Sequence, residues 1–472
     1  MSLLISVQNS LKRYELSAPL RAIAFGAGIA FALQLFGKVI GYLLQIVLAR
    51  WMGPAEYGLF NYVLAWVAVL AMVGGMGFPE AILRFVPEYR TTKEWGYLRG
   101  VVIRSQQFTL VVSTLLGVLF VVVALWFNKR AGTTNEWLIY SGGLLVPIFA
   151  SFNLIAETFR AFHKISVAYA PRQILEPLLL IGAVLGLTLL PGVTGIRSTE
   201  VLIADLFIFL LLLSLQWSLL RRLIRSIIEP AANGSAVTQQ TTNTRPQAPQ
   251  FNNRLWLNTS LPMLLVAGYR IILNRSDILL LGMFMATTDL GIYSAALIIA
   301  GTVSFVLVSV NSIFAPTVAA IYKKGDLTEL QKLVSTTAHW SFWPSVALGL
   351  FLVFFAEPLL GLLGREFRAG RWELLILIGG NLINAGVGSV GYLLNMTGNQ
   401  KYSAKVFGWT SLLSVLLYIG LIYFFGTIGA AIASSVTLAI RNLWMYHYVV
   451  TRLRIYPSVI DALRFTNHST SA

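Results

Sequence analysis

Runs of apolar residues on the order of 20 long, the length that crosses a bilayer as a helix, follow one another along the whole chain with short polar breaks between them. They predict twelve helices, over 20–48, 57–78, 101–127, 136–159, 166–190, 200–220, 256–284, 289–314, 335–357, 372–396, 402–424 and 427–449. The runs do not alternate, so a membrane β-barrel is excluded. Between the first two runs the chain reads LARWMGPAEYGLF, residues 48–60, where an arginine, a Gly-Pro pair and a glutamate break the apolar pattern. Gly53 and Pro54 are turn formers, so Arg50 to Glu56 reads as a tight turn between two crossings. The first run is too long for a signal peptide and has no small-residue cleavage site after it, so it is expected to be retained.

The same break occurs a second time. A shift of 233 positions, without a gap, lays Leu48 on Leu281, Met52 on Met285, Glu56 on Asp289 and Gly58 on Gly291. The match extends to Tyr89-Arg90 on Tyr322-Lys323 and to Val101 on Val334. Between the copies, residues 226–255 are rich in Gln, Thr, Asn, Ala and Pro, with too few large apolar groups to build a core, and read as a disordered linker. The expected organisation is therefore an N-terminal lobe over 1–225, the linker over 226–255, a C-terminal lobe over 256–450 and a tail over 451–472. Two six-helix halves that start on the same side are parallel repeats about an axis along the membrane normal. After its first hairpin each half continues into a basic, partly amphipathic segment, PEAILRFVPEYRTTKEWGYLR and PTVAAIYKKGDLTELQKL, of the kind that lies on a membrane surface.

Composition supports the same reading. Hydrophobic residues make up 57% and charged residues 11%, with a mean hydropathy of +0.73, against about 25% charged residues in soluble domains. The net charge of +16 does not point to nucleic acid, because the 35 Lys and Arg concentrate in the segments on the linker's side of the membrane. That bias predicts cytoplasmic N- and C-termini; the loop GREFRAGRWE, with Arg365, Arg368 and Arg371, runs against it. With no cysteine there is neither disulfide nor thiolate site.

A charge at the bilayer centre costs roughly 2.5 to 3.5 kcal/mol on the insertion scale, so depth decides which charges need explaining. Arg104, Lys405 and Arg441 lie toward helix ends and can snorkel. Arg172 with Glu176, and Glu157 with Arg160, are spaced to neutralise each other on one helix face. Lys38 is deeper, and shares a stripe with Gln34, Gly41 and Gln45 at helical spacing. Arg270, Asn274 and Asp277 form a comparable stripe, one residue out of register with Lys38 after the shift. These stripes predict that each half turns a cation inward, with Arg275, Asn381 and Asn384 lining the same interior. Gly37 and Gly41 allow close helix packing in either case. Asp277, Asp205 and Glu176 are the carboxylates available for ion coupling. Pro147, Pro177, Pro262 and Pro344 mark places where helices can bend.

No phosphate-binding loop, HExxH motif or soluble domain with paired carboxylates is present, and the four histidines are scattered. An enzyme, a bound metal and a cofactor are accordingly not expected. LARWMGPAEYGLF followed by GGMGFPEAILRFVPEYR resembles the polysaccharide flippases of the Wzx type, within the superfamily that also holds multidrug exporters and lipid II flippases, and the likeness covers nearly the whole chain. The resemblance implies an all-α membrane protein of two pseudo-symmetric six-helix lobes. It further implies transfer of an undecaprenyl-pyrophosphate-linked oligosaccharide from the cytoplasmic to the outer leaflet of a bacterial inner membrane, with a polysaccharide polymerase and other glycan assembly proteins as partners. Lys38 and Arg270 would meet the diphosphate, and Gln34, Gln45 and Asn274 the sugars. Lipid II flippases carry two further helices that this sequence lacks. A cation-coupled multidrug exporter of the same fold would want an acidic interior. A non-transporting scaffold of a glycan assembly complex would have no use for buried cations.

Overall fold

Gly53 bends the chain back at a single residue. In the computed structural model, which describes residues 18–131, 136–189, 195–233 and 248–461, the first helix, α1, runs Ala18–Gly74 and is interrupted only at Gly53, with φ 71° and ψ 171°. That conformation is open to glycine and strained for other residues. The last long helix, Gln400–Leu453, repeats the device at Gly426, with φ 57° and ψ −132°. The fold-back there is so tight that a Cβ on Gly429 would lie 1.9 Å from the Leu421 carbonyl oxygen.

Among the described residues the regular secondary structure is all helical. After α1 come α2 (Phe78–Thr91), α3 (Trp95–Ala131), α4 (Glu136–Ala161), α5 (Ile165–Ala170), a π-helical turn at Pro171–Leu175, α6 (Glu176–Thr188) and α7 (Ser198–Asn233). The second half holds α8 (Asn253–Phe284), α9 (Thr287–Gly301), α10 (Val303–Lys324), α11 (Leu327–Phe354), α12 (Ala356–Leu363), α13 (Arg371–Val387), α14 (Val390–Met396) and α15 (Gln400–Leu453). Among the described residues seven helices are long and apolar enough to cross a membrane, or nine if each of two bent pairs counts as one span, against the twelve expected. The difference has a physical origin. The windows Leu35–Gly74 and Gln400–Leu453 each contain a glycine break, and α8 falls outside the apolar set because it carries Arg270, Arg275 and Asp277. α2 is the amphipathic segment expected after the first hairpin: Phe78, Ala81, Ile82, Phe85, Val86 and Tyr89, at alternating spacings of three and one, form its buried face. Its counterpart is not separate; it continues α10 to Lys324, ends at left-handed Gly325, and restarts where Asp326 accepts from the Glu329 N–H at 2.8 Å.

The core is divided unequally. At the end of the bundle that carries the Gly53 turn, one apolar cluster draws on both halves, joining Leu48, Tyr57 and Phe60 to Leu290, Tyr293 and Phe367. At the end that carries the linker each half has its own cluster, one around Phe85, Leu98 and Phe159, the other around Val318, Leu330 and Val449. The two lobes are thus fused at the hairpin end and separate at the linker end.

The hairpin-end seam is made of glycine. A Cβ on Gly58 would lie 2.0 Å from the Thr287 carbonyl oxygen, and one on Gly291 would lie 1.9 Å from that of Pro54. Gly58 and Gly291 are the repeat-related positions, so α1 and α9 cross where the sequence motif meets its own copy. Tyr57 packs edge-on against Phe367 at 6.0 Å, and the Arg50 guanidinium donates to the Leu362 carbonyl at 3.2 Å. The loop with Arg365, Arg368 and Arg371 therefore belongs to this end. Arg371 pairs there with Glu357 at 2.6 Å.

The linker is shorter than the polar tract suggests. Helix α7 continues to Asn233 and α8 begins at Asn253, while residues 248–252 run extended against the start of α3, where the Gln250 N–H donates to Gly96 O at 3.0 Å. The disorder expected over 226–255 is corrected at both ends by these contacts; residues 234–247 lie outside the described residues.

Candidate functional site: a cationic cavity between the lobes

A cavity of about 490 Å³ lies between the lobes, walled by α1, α4, the π turn, α6 and α7 on one side and by α8 and α9 on the other. Its cations are Lys38, Arg172 and Arg275, and its carboxylates Glu176 and Asp205. Three cations against two carboxylates give the lining one formal positive charge in excess.

Each is held there by a definite piece of backbone. Gly37 brings α1 directly onto the π turn, since a Cβ would lie 2.6 Å from that of Gln173. Gly41, with nothing within 4 Å of the same position, leaves room for the cavity instead of packing a helix. Lys38 extends across to the second lobe, its Nζ 5.2 Å from the centre of the Phe305 ring. The π turn opens on Pro171 and is followed by Pro177, neither of which can donate a backbone bond, and its widened loop places Arg172, Gln173 and Glu176 on the cavity wall. Arg172 stacks over Phe149 at 4.7 Å and Phe209 at 4.8 Å and pairs loosely with Glu176 at 3.9 Å. The local neutralisation expected of Arg172 and Glu176 is present as an ion pair, but the pair faces the cavity. Asp205 adjoins Glu176, is 2% exposed, and keeps one carboxylate oxygen without a hydrogen-bond partner. Gln45 lines the cavity and accepts from the Tyr57 hydroxyl at 2.8 Å.

The remaining expected residues lie elsewhere. Arg270 is not in this cavity: its guanidinium reaches α2 and pairs with Glu80 at 3.2 Å, with 69% of the side chain exposed. The reason is register, because five residues advance a helix by well over a full turn and bring Arg275, not Arg270, to the inner face. Burial pushes the Glu80 carboxyl above the usual range, and the nearby Arg270 and Arg160 draw it back. Asn274 is exposed and donates to the Arg270 carbonyl one turn back, at 2.6 Å. Asp277 is buried and accepts from Tyr293 at 3.2 Å and from the Ile278 N–H at 2.8 Å. Asn381 accepts from Ser304 at 2.5 Å, and Asn384 from Asn442 at 2.8 Å, both inside the second lobe. The side chain of Gln34 lies outside the described residues.

The amide pairs therefore act as helix glue. Breaking the Asn384–Asn442 bond with Asn384→Ala is expected to lower thermal stability in detergent by about 0.6 kcal/mol of pair coupling, measured by a double-mutant cycle with Asn442→Ala. A defect in transport without a loss of stability would contradict this assignment.

Residues 23–322 match the family model for polysaccharide biosynthesis proteins, a span of well over half the chain that contains the cavity. The chain belongs to this family. A relative in Haloferax volcanii, a probable low-salt glycan biosynthesis flippase, Agl15, is 21% identical over 432 residues, covering 89% of this chain and 82% of that one. Among solved structures, the lipid II flippase MurJ in an inward closed conformation is similar with a TM-score of 0.61 at 18% identity, covering 89% of this chain and 87% of that one. An inward-facing multidrug resistance MATE family transporter of the MOP superfamily gives the same TM-score at 16% identity, covering 90% and 98%. The family member described here thus has the MOP fold: an all-α, multi-pass membrane architecture of two lobes.

Proposed function

We propose that the chain is a flippase that moves a polyprenyl-pyrophosphate-linked oligosaccharide from the cytoplasmic to the outer leaflet of a bacterial inner membrane, by alternating access to the cavity between its lobes. The observation that carries the reading is the meeting of Lys38, Arg172 and Arg275 in one cavity between two lobes fused at one end and separate at the other. A diphosphate has the charge to neutralise such a site, and two guanidinium groups give it planar donor forks. The half-buried amides Gln45 and Gln173 on the same walls supply hydrogen bonds for the first sugar. The likeness to a glycan biosynthesis flippase in Haloferax volcanii agrees with this substrate class. A multidrug exporter of the same fold is the second reading, and the excess of cations in the cavity disfavours its cationic substrates.

The decisive measurement is leaflet transfer in proteoliposomes made with a lipid-linked oligosaccharide of defined sugars. Transfer that depends on the protein and on the diphosphate supports the reading; export of lipophilic cations with no transfer of the lipid-linked sugar overturns it. Within the same reading, Glu176 and Asp205 form the place where the cavity takes up a proton or cation. Asp277, already engaged by Tyr293, has no part in it. Glu176→Gln with Asp205→Asn is expected to leave transfer insensitive to an imposed ion gradient, whereas Asp277→Asn retains the wild-type gradient response.

A further inference from the structure

The loop GREFRAGRWE puts three arginines at the hairpin end, against the charge bias of the rest of the chain, and the cavity uses none of them. After α12 the 3₁₀ turn Arg365–Gly370 folds back along that helix. It lays the Arg368 guanidinium on bare backbone, with Nε 2.9 Å and Nη2 3.1 Å from where a Cβ on Gly361 would stand. From the first lobe, Arg50 donates to the carbonyl of the next residue, Leu362, at 3.2 Å. Two guanidinium groups, one from each lobe, thus converge on the last turn of one short helix. The carbonyls of a helix C-terminus attract cations, which accounts for the placement but leaves the charge in place. The bond to Leu362 uses one of the five N–H groups of Arg50, and among the described residues neither Arg50, Arg365 nor Arg368 pairs with a carboxylate.

The acids nearby do not cancel this charge. Glu357 is taken by Arg371, Glu366 is exposed in the 3₁₀ turn, and Glu56 is turned to the start of α7, where it accepts from the Ser198 N–H at 2.7 Å. Around the arginines Trp51, Phe354, Leu362 and Trp372 are exposed. Tryptophans beside exposed apolar groups mark the headgroup level of a bilayer, where the anion in supply is a lipid phosphate. The buried seam that holds Tyr57 and Phe367 separates this surface from the cavity, so its occupant arrives from the membrane. We propose that Arg50 and Arg368, with Arg365, bind the phosphate of an anionic phospholipid and that the bound lipid bridges the two lobes at the hairpin end. Guanidinium forks suit a phosphodiester, and a basic side chain at the surface enriches anionic lipid about fivefold. With one arginine from each lobe, the lipid ties them together where Gly58 meets Gly291. The assignment is independent of the flippase reading.

The natural absence of cysteine allows the full chain to carry a single bimane label, at Leu362→Cys beside the arginines or at Phe424→Cys, exposed on α15 at the same end of the bundle. Phosphatidylcholine nanodiscs then receive a small fraction of nitroxide-bearing lipid with either a phosphatidylglycerol or a phosphatidylcholine headgroup. The phosphatidylglycerol form is expected to quench the label at Leu362→Cys about fivefold more effectively than the phosphatidylcholine form, while both quench Phe424→Cys equally. Arg50→Gln and Arg368→Gln, each alone, should bring the ratio at Leu362→Cys close to one, and millimolar inorganic pyrophosphate should leave the unsubstituted ratio unchanged. Equal quenching by the two lipids with both arginines present, or a ratio that neither glutamine changes, overturns the site. Loss of the ratio with Arg368→Gln but not with Arg50→Gln would confine the contact to the second lobe and overturn the bridge. Displacement by pyrophosphate would show that a soluble anion, not a lipid, is the ligand.

Discussion

Replacing Lys38 and Arg275 together by glutamine is expected to abolish leaflet transfer of a pyrophosphate-linked sugar while the protein accumulates and purifies as before. Both side chains line the cavity between the lobes, one from each, so their loss removes positive charge from both faces of the site and leaves Arg172 opposed by Glu176 and Asp205. Charge-assisted hydrogen bonds are worth about 1.5 to 3 kcal/mol each, so each single change should cost on the order of tenfold to a hundredfold in substrate affinity. Arg270→Gln is the control. It removes an exposed cation of the same helix that pairs with Glu80 outside the cavity, and it is expected to leave affinity for the diphosphate at the wild-type value. Equal losses for Arg270→Gln and Arg275→Gln would mean that the anion is not read in this cavity.

Gly58→Leu is expected to stop transport by a different route. Even the Cβ would stand 2.0 Å from the Thr287 carbonyl oxygen and 2.6 Å from the Gly291 nitrogen, and neither backbone can give way without moving a helix. Overpacking of this kind costs about 3 kcal/mol or more, enough to shift the balance between the closed and opened hairpin end more than a hundredfold. Tyr57 beside it is fully buried. A Tyr57→Cys reporter that resists maleimide from the hairpin side should therefore become reactive when Gly58→Leu is added. Unchanged reactivity together with unchanged transport would show that α1 and α9 need no close approach.

The fold class was legible because its causes are local. Apolar runs of bilayer length, the Gly53-Pro54 break and the polar tract after residue 226 are properties of contiguous sequence. The alternation of three and one in Phe78, Ala81, Ile82, Phe85, Val86 and Tyr89 likewise marked an amphipathic helix before any packing was known. The cavity was legible only in part. Lys38, Gln45 and Arg275 were read as interior, and Glu176 and Asp205 only as carboxylates available for ion coupling; all five line the cavity. Arg172 and Gln173 were missed as cavity residues because they lie within the π turn, whose widened spacing no rule for an α-helix anticipates; Pro171 and Pro177 were the available signal. Arg270 was misplaced because the repeat shift brings it within one residue of Lys38 in sequence, while the inner face of α8 is taken by Arg275. Asn381 and Asn384 look alike in sequence whether they line a cavity or bond a neighbouring helix, and only their partners, Ser304 and Asn442, decide it.

The crossing of Gly58 with Gly291 puts a residue next to its own image. An atom added to either copy of the motif meets the backbone of the other, at the Thr287 carbonyl from one side and the Pro54 carbonyl from the other, so the space available to a side chain is closed from both directions at once. Hydrogen is the only substituent small enough for both partners. A gene duplication that began with a bulkier residue at this position would have produced two halves unable to shut against each other, whatever cavity lay behind them.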